Sequence, residues 1–328
     1  MKTLTIDADR LELLAQVASW YYEENLSQEE IAQRLGRSIS MISRMLQEAR
    51  DSDLVEIRVR YPSRTDPQLE DRLCESFGLS YARVLPNPWI DQNTSILRRL
   101  GDLGARFLQQ QLHDGIRIGL SWGTNVYEVV SAMPNLRVRD ALVIQISGAV
   151  GSSDPTVDGA QMARWLAEKL NASSRFLHAP LIVENKTIAQ ALLRDRTNME
   201  TLGLISRIEV ALVGIGTTDP LSAGLQRAGY VTEADVTILR KAGAVGDIVG
   251  YHLNADGSPL DISFNQRVVG IDLDTLRSVP LVIAVAHGAS KVPAILAVLR
   301  GEYIDALVTD VTTASNVLHL HDSFSDLE

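Results

Sequence analysis

From residue 82 onward the chain alternates between two textures. Short apolar runs rich in β-branched residues occur at 82–85, 115–120, 141–146, 208–213, 281–286 and 304–308. Between them lie segments of helical periodicity at 95–112, 124–132, 159–170, 231–242, 291–300 and 312–319. Such alternation leaves few solutions other than βαβ units, because parallel strands need a crossover and a helix is the usual one. It predicts a doubly wound, mostly parallel α/β sheet covered by helices on both faces. Sheets of this kind bind ligands in loops beyond the carboxyl ends of their strands. At 328 residues and 45% hydrophobic, the chain can fill that core and still furnish a second domain.

The first sixty residues have a different pattern. In Leu26–Gln47, LSQEEIAQRLGRSISMISRMLQ, Ser27 and Glu30 have the spacing of a capping box. Gly36 is placed to end that helix in the left-handed region, and Ser38 to cap the next. Ile31 and Leu35 share one helical face, with Ala32 small enough for a close crossing. Ile39, Ile42, Met45 or Leu46, and Ala49 are expected to face inward. Ser40, Met41, Ser43, Arg44 and Gln47 are expected to face outward. This is the pattern of a helix-turn-helix whose second helix presents a short, polar, arginine-bearing surface to a major groove. Upstream, Leu11, Leu14, Ala15, Ala18 and Tyr22 form an apolar stripe that closes a three-helix core. Downstream, Leu54–Arg60 alternates apolar and charged residues, which predicts a strand or wing with Arg58 and Arg60 outward, toward phosphate.

Charge is distributed to match. The net charge is −10, which argues against nonspecific coating of nucleic acid. Residues 34–50 nevertheless carry four arginines against one glutamate. An acidic body with one basic edge orients DNA toward that edge. The edge is modest, so dimerisation is expected to be needed for useful affinity.

Tyr61-Pro62-Ser63-Arg64-Thr65-Asp66-Pro67 reads as a boundary. It divides a DNA-binding domain over 1–61 from an effector-binding and oligomerisation domain over 62–328. Gln68–Phe77 is an amphipathic helix. A single cysteine, Cys74, excludes an intrachain disulfide framework and suits a reducing cytosol. The absence of a secretory signal and of any run long enough to span a membrane points the same way, to a cytoplasmic protein without a membrane partner.

Several loops carry candidate chemistry. Ser121-Trp122-Gly123-Thr124 follows a strand and opens a helix, offering two hydroxyls, a close backbone approach and free amides. No Walker lysine follows, so it is not a nucleotide P-loop. His287-Gly288-Ala289-Ser290-Lys291 puts a cation in the first turn of a helix, where it opposes the dipole unless an anion sits beside it. Gly243-Ala244-Val245-Gly246-Asp247 leads into a strand over Ile248–Leu253, and Asp247 can accept hydrogen bonds from sugar hydroxyls. Asn254-Ala255-Asp256-Gly257 is a turn signal. Gln145 ends a strand and His178 precedes Ala179-Pro180; taken singly, each reads as structural. The run Val213–Thr218 has the wrong spacing for a dinucleotide fingerprint. His319-x-His321 is not taken as a metal site, and no cofactor is expected.

Taken together and in order, these segments are identified with a family. The chain resembles the SorC/DeoR-type sugar-responsive transcriptional regulators of bacteria over nearly its whole length. The resemblance is carried by Tyr21-Tyr22-Glu23-Glu24, Leu26–Ala32, Gly119–Thr124, Leu177–Pro180, Gly243–Asp247, Gly288–Lys291 and Leu307–Asp310 with Thr313-Ala314. It implies a helix-turn-helix domain, winged here, and an effector domain similar in fold to phosphosugar isomerases and deaminases. Members commonly form dimers or tetramers. It further implies double-stranded operator DNA as one partner and a phosphorylated sugar or polyol as the other. On that resemblance the phosphate meets Ser121, Gly123, Thr124 and Lys291, with Trp122 in the same loop, and the sugar meets Asp247, Gln145 and His178. DNA is met by Gln28, Arg37, Ser38, Ser40, Met41, Ser43, Arg44 and Gln47. Arg37 departs from the pattern, since such turns usually carry an aliphatic after the glycine; an added phosphate contact would account for it.

The alternative is an enzyme, a sugar-phosphate isomerase or deaminase on the same sheet. That chemistry needs a positioned general base, for which Asp247 and His178 are the candidates. A capped helix pair at 26–60 has no use in such an enzyme, so the expected reading is a regulator without catalytic residues.

Overall fold

The computed structural model describes residues 8–52, 54–55, 64–86, 93–150 and 158–325. The chain divides into two compact units, Met1–Arg60 and Tyr61–Glu328.

In the first unit, three helices enclose one small core: α1 (Ala8–Tyr22), α2 (Gln28–Leu35) and α3 (Ile39–Asp51). The entry to α2 is fixed by a reciprocal cap. Ser27 Oγ accepts from the Glu30 amide at 3.2 Å, and the Glu30 carboxylate accepts from the Ser27 amide at 2.8 Å. Gly36 ends α2 at φ 62°, a left-handed conformation that a side chain would strain. Leu14, Val17, Ala18, Ile31, Ala32, Ile42, Met45, Leu46 and Ala49 are buried together.

The structure departs from the sequence pattern at four places here. Ala15 is exposed and Val17 takes its place in the core. Ile39 is not inward but 51% exposed. Met41, expected outward, is half-buried against the core. Ser38 stands at the cap position of α3 without making the cap bond; its hydroxyl lies 3.1 Å from that of Ser40. The expected strand at 54–60 falls mostly outside the described residues, Arg58 and Arg60 included. Of its two described members neither is in a strand, and Val55 packs on the helical core.

Among the described residues, the second unit has nine strands: β1 (Tyr81–Leu85), β2 (Arg117–Leu120), β3 (Leu142–Gln145), β4 (Ser173–Arg175), β5 (Val210–Thr217), β6 (Gly246–Ile248), β7 (Tyr251–Leu253), β8 (Leu281–Val285) and β9 (Ala306–Asp310). Seven run parallel in the order β1-β9-β8-β5-β2-β3-β4. The strand order turns back between β2 and β5, which makes their adjacent carboxyl ends a topological switch point.

Side chains along the strands alternate between two cores. Ala211, Val213, Val282, Ala284 and Leu307 enter one, beneath α4 (Pro67–Phe77), α9 (Arg196–Ile205), α12 (Leu273–Arg277), α13 (Val292–Arg300) and α14 (Val311–Ser325). Val210, Leu212, Ile283, Val285 and Val308 enter the other, beneath α5 (Asn93–Gln110), α6 (Thr124–Ala132) and α7 (Gly159–Leu170). This is the two-sided burial that continuous apolar strands require. The remaining helices are α8 (Lys186–Leu193), α10 (Gly224–Arg227) and α11 (Glu233–Lys241).

Pro67 belongs not to a linker but to the first position of α4, capped by Asp66. The residues around it also cover β1. Glu70 Oε1 accepts from the Val84 amide at 2.9 Å, the Asp66 amide donates to the Val84 carbonyl at 2.9 Å, and Arg83 donates to the Ala82 carbonyl at 2.7 Å.

The expected strand over Ile248–Leu253 is instead a hairpin. β6 and β7 pair antiparallel, and β6 continues onto the end of β5. Val249 at φ 46° and Gly250 at φ 93° make the reversal. The hydrophobic run hid a turn that normally needs glycine or asparagine at both positions.

Candidate functional site

A cavity of about 850 Å³ lies at the switch point, at the carboxyl ends of β2, β5 and β8. The loop after β2 supplies Ser121, Trp122, Gly123 and Thr124. The loop after β8 supplies His287, Gly288, Ser290 and Lys291, and the hairpin supplies Asp247. Gly123 and Gly288 stand at φ 122° and 102°, so each loop turns where only glycine is comfortable. Thr124 opens α6, and Gly123 caps it without a side-chain bond, leaving its first amides toward the cavity loop.

The glycines of β5 are part of this construction. A methyl group on Gly216 would run into the Asp247 carboxylate, and one on Gly214 would press the Trp122 carbonyl at 3.4 Å. The glycine-rich run is therefore a strand cleared for close neighbours, not a dinucleotide loop.

Asp247 is buried, with only 8% of its surface exposed. Burial pushes its carboxyl up to about 6, against the opposing pull of Lys291 and a hydrogen bond from the Gly250 amide. Lys291 is not a solvated lysine. Its Nζ donates to the Ile215 carbonyl at 2.7 Å, and burial pushes it down to about 8 while Asp247 draws it upward. His287 is lowered by burial first and by Lys291 second. A site with one neutralisable acid, one readily charged amine and four hydroxyls suits a small, polyhydroxylated, anionic ligand.

Two expected members fall outside the cavity wall. His178 is exposed and contributes only its amide, which donates to Asn198 Oδ1 at 2.8 Å. Gln145 is fully buried; its Oε1 accepts from the Leu177 amide at 3.2 Å. Its Nε2 makes no hydrogen bond and lies close to the position a Gly159 side chain would take, beside Trp122. Arg227 and Ser222 were not anticipated. They reach the cavity from α10 and the loop before it, and Ser222 Oγ donates to Ser290 Oγ at 3.0 Å. A four-residue helix between glycines leaves no periodic signal, so Arg227 could be found only from the fold.

In the first unit, Arg37, Ser38, Ser40, Ser43, Arg44 and Gln47 are exposed, and Gln28 is half-buried. Arg44 Nε donates back to the Ser40 carbonyl at 3.3 Å. Arg50 ties Gln47 at 2.7 Å to Tyr22 at 2.9 Å. Among the described residues no cluster of metal-ligating side chains occurs, and the His321 ring packs at a tilt against Phe77, centroids 4.7 Å apart.

Residues 61–319 match the protein-family model described as "Putative sugar-binding domain". The chain belongs to this family. It is 31% identical over 309 residues to the deoxyribonucleoside regulator of Bacillus subtilis, covering 94% of this chain and 98% of that one. It is 32% identical over 313 residues to the transcriptional regulator LsrR of Klebsiella pneumoniae, covering 94% and 93%. The crystal structure of the full-length sorbitol operon regulator SorC from K. pneumoniae superposes with a TM-score of 0.71 at 27% identity, over 95% of this chain and all of that one. A transcriptional regulator from Streptococcus pneumoniae reaches 0.73 at 26% identity, over 78% of this chain and 97% of the other. The sugar-binding domain family thus covers the second unit, and the regulator relatives extend over both. No helix among the described residues is long and apolar enough to cross a membrane.

Proposed function

We propose that the protein is a cytoplasmic DNA-binding transcriptional regulator of a carbohydrate operon, controlled by a phosphorylated sugar or polyol in the cavity at the switch point. The observation that carries this reading is the presence of two sites of different chemistry in one chain. One is a capped helix pair with an exposed, arginine-bearing outer face; the other is a hydroxyl-rich cavity holding Lys291, Arg227 and Asp247. The regulator relatives, matching both units, support it.

In this reading α2 and α3 form a helix-turn-helix, and α3 enters the major groove with Ser40, Ser43 and Arg44 toward the bases. Arg37 and Gln28 meet the phosphate backbone. The ligand phosphate meets Ser121, Gly123, Thr124 and Lys291, joined by Arg227, while Asp247 meets the sugar hydroxyls. Copies of the chain associate, so that ligand binding changes the spacing of their recognition helices. By linkage, the ligand changes DNA affinity only as far as it prefers one arrangement.

The test is a mobility shift on DNA flanking the protein's own gene. Arg44→Ala is expected to weaken sequence-specific binding by about 1–3 kcal/mol. Lys291→Ala is expected to keep DNA binding and lose the response to the sugar phosphate. Unchanged specific affinity in the first variant, or a full response in the second, contradicts the respective assignment. An isomerase or deaminase reading draws on Asp247, whose raised carboxyl resembles a general base. Turnover of a sugar phosphate by the purified chain would favour it.

A further inference from the structure

Ile39 is the first residue of α3, and it is 51% exposed although helical spacing from Ile42 would place it inward. The three-helix core closes without it, on Ile42, Met45, Leu46 and Ala49. A single exposed aliphatic on an ordinary surface needs no explanation. This one has particular neighbours. Ser40 and, one turn on, Ser43 are exposed beside it, and Arg44 leans back onto the Ser40 carbonyl at 3.3 Å. Ser38 turns its hydroxyl toward Ser40 rather than capping the helix. The first turn of α3 is therefore one aliphatic side chain set among small hydroxyls and a guanidinium.

That combination has a specific counterpart in B-DNA. The N-terminal residues of a recognition helix are the ones that reach base edges. On the major-groove floor, the one apolar group is the C5-methyl of thymine, which apolar side chains contact. Small serines on either side let the helix come close enough for that contact. From this juxtaposition we infer that Ile39 reads a thymine methyl in each operator half-site. The inference rests on the DNA-binding reading proposed above and specifies one base it recognises.

Replacing thymine by deoxyuridine removes that methyl and nothing else. The experiment selects duplexes from a randomised pool with the full-length protein. Each thymine of the selected half-site is then replaced in turn by deoxyuridine. At one position the native protein is expected to lose about fourfold in affinity per half-site, the worth of one buried methyl-sized group. Ile39→Ala is expected to bind the thymine and deoxyuridine duplexes equally, whereas Ile39→Val keeps the discrimination. Because the side chain is outside the core, both variants are expected to melt with the native protein. Sensitivity to every thymine methyl retained in Ile39→Ala overturns the inference, as does a native protein indifferent to all of them. Failure to select any sequence overturns the DNA-binding reading itself, a different result.

Discussion

Asp247 and Lys291 sit in a wall that stabilises neither charge well, and this makes stability depend on pH in two windows. The Asp247 carboxyl is pushed up to about 6 from 3.8. Between those values the folded protein holds the proton more tightly than the unfolded chain. Its contribution is therefore fully present below about pH 4 and is lost as pH rises to about 6. Lys291, pushed down to about 8 from 10.5, acts in the alkaline window. There the unfolded chain binds more protons, so stability on this account rises with pH from about 8 to about 10.5. In a pH series of thermal denaturation, Asp247→Asn is expected to lack the fall in stability, between about pH 4 and about pH 6, expected of the native protein. An identical decline in both proteins would mean that other groups produce it. For these two residues the sequence suggested ligand contacts but not their burial against each other. A lysine opposing a helix dipole was legible as an anomaly, but its bond to Ile215 was not. His178 shows the reverse failure: the motif drew attention to a side chain that the fold turns outward.

At the scale of elements, the capping box before α2 was legible because it depends on two residues three apart. Ser27→Ala is expected to destabilise that helix by about 1 kcal/mol. Hydrogen exchange at the amides of residues 28–30 would report it, and unchanged protection there would show that the helix is held by its core contacts alone. The expected strands were found within a few residues, since a parallel strand buried on both faces must be continuously apolar. What escaped notice lacked that signature. β4 is Ser-Ser-Arg, a strand only because β3 lies beside it. The β6–β7 hairpin carries valine at the first of two turn positions that call for glycine or asparagine, so only Gly250 marked the reversal. Ile39 and Met41 were misassigned because both lie at the margins of the apolar face centred on Ile42, Met45, Leu46 and Ala49, where spacing alone does not decide burial.

For the whole molecule, the proposed ligand site couples binding to proton uptake as an expected outcome. A phosphate beside Lys291 favours the ammonium form. Binding of a sugar phosphate near pH 8 is expected to take up a proton, measurable by calorimetry in two buffers of different ionisation enthalpy. Heats that do not depend on the buffer would remove Lys291 from the anion's surroundings. In the same samples, a ligand at a hundred times its Kd raises apparent stability by about 2.7 kcal/mol, so phosphorylated and free sugars separate in a melting panel. The doubly wound architecture was legible from alternation alone, and so was the end of the sheet at which the cavity opens. The strand order was not, because crossover lengths do not say which neighbour a strand will take.

The cover over β1 has a consequence for crowding and expression. An open sheet normally offers its outermost backbone groups to any strand that drifts past. Here Val84 has given both of its outward groups to Asp66 and Glu70, and Ala82 has given its carbonyl to Arg83. The opposite margin is three residues long and ends in an arginine. Strand addition at β1 is therefore impeded by its own neighbours, and at β4 the ladder on offer is short.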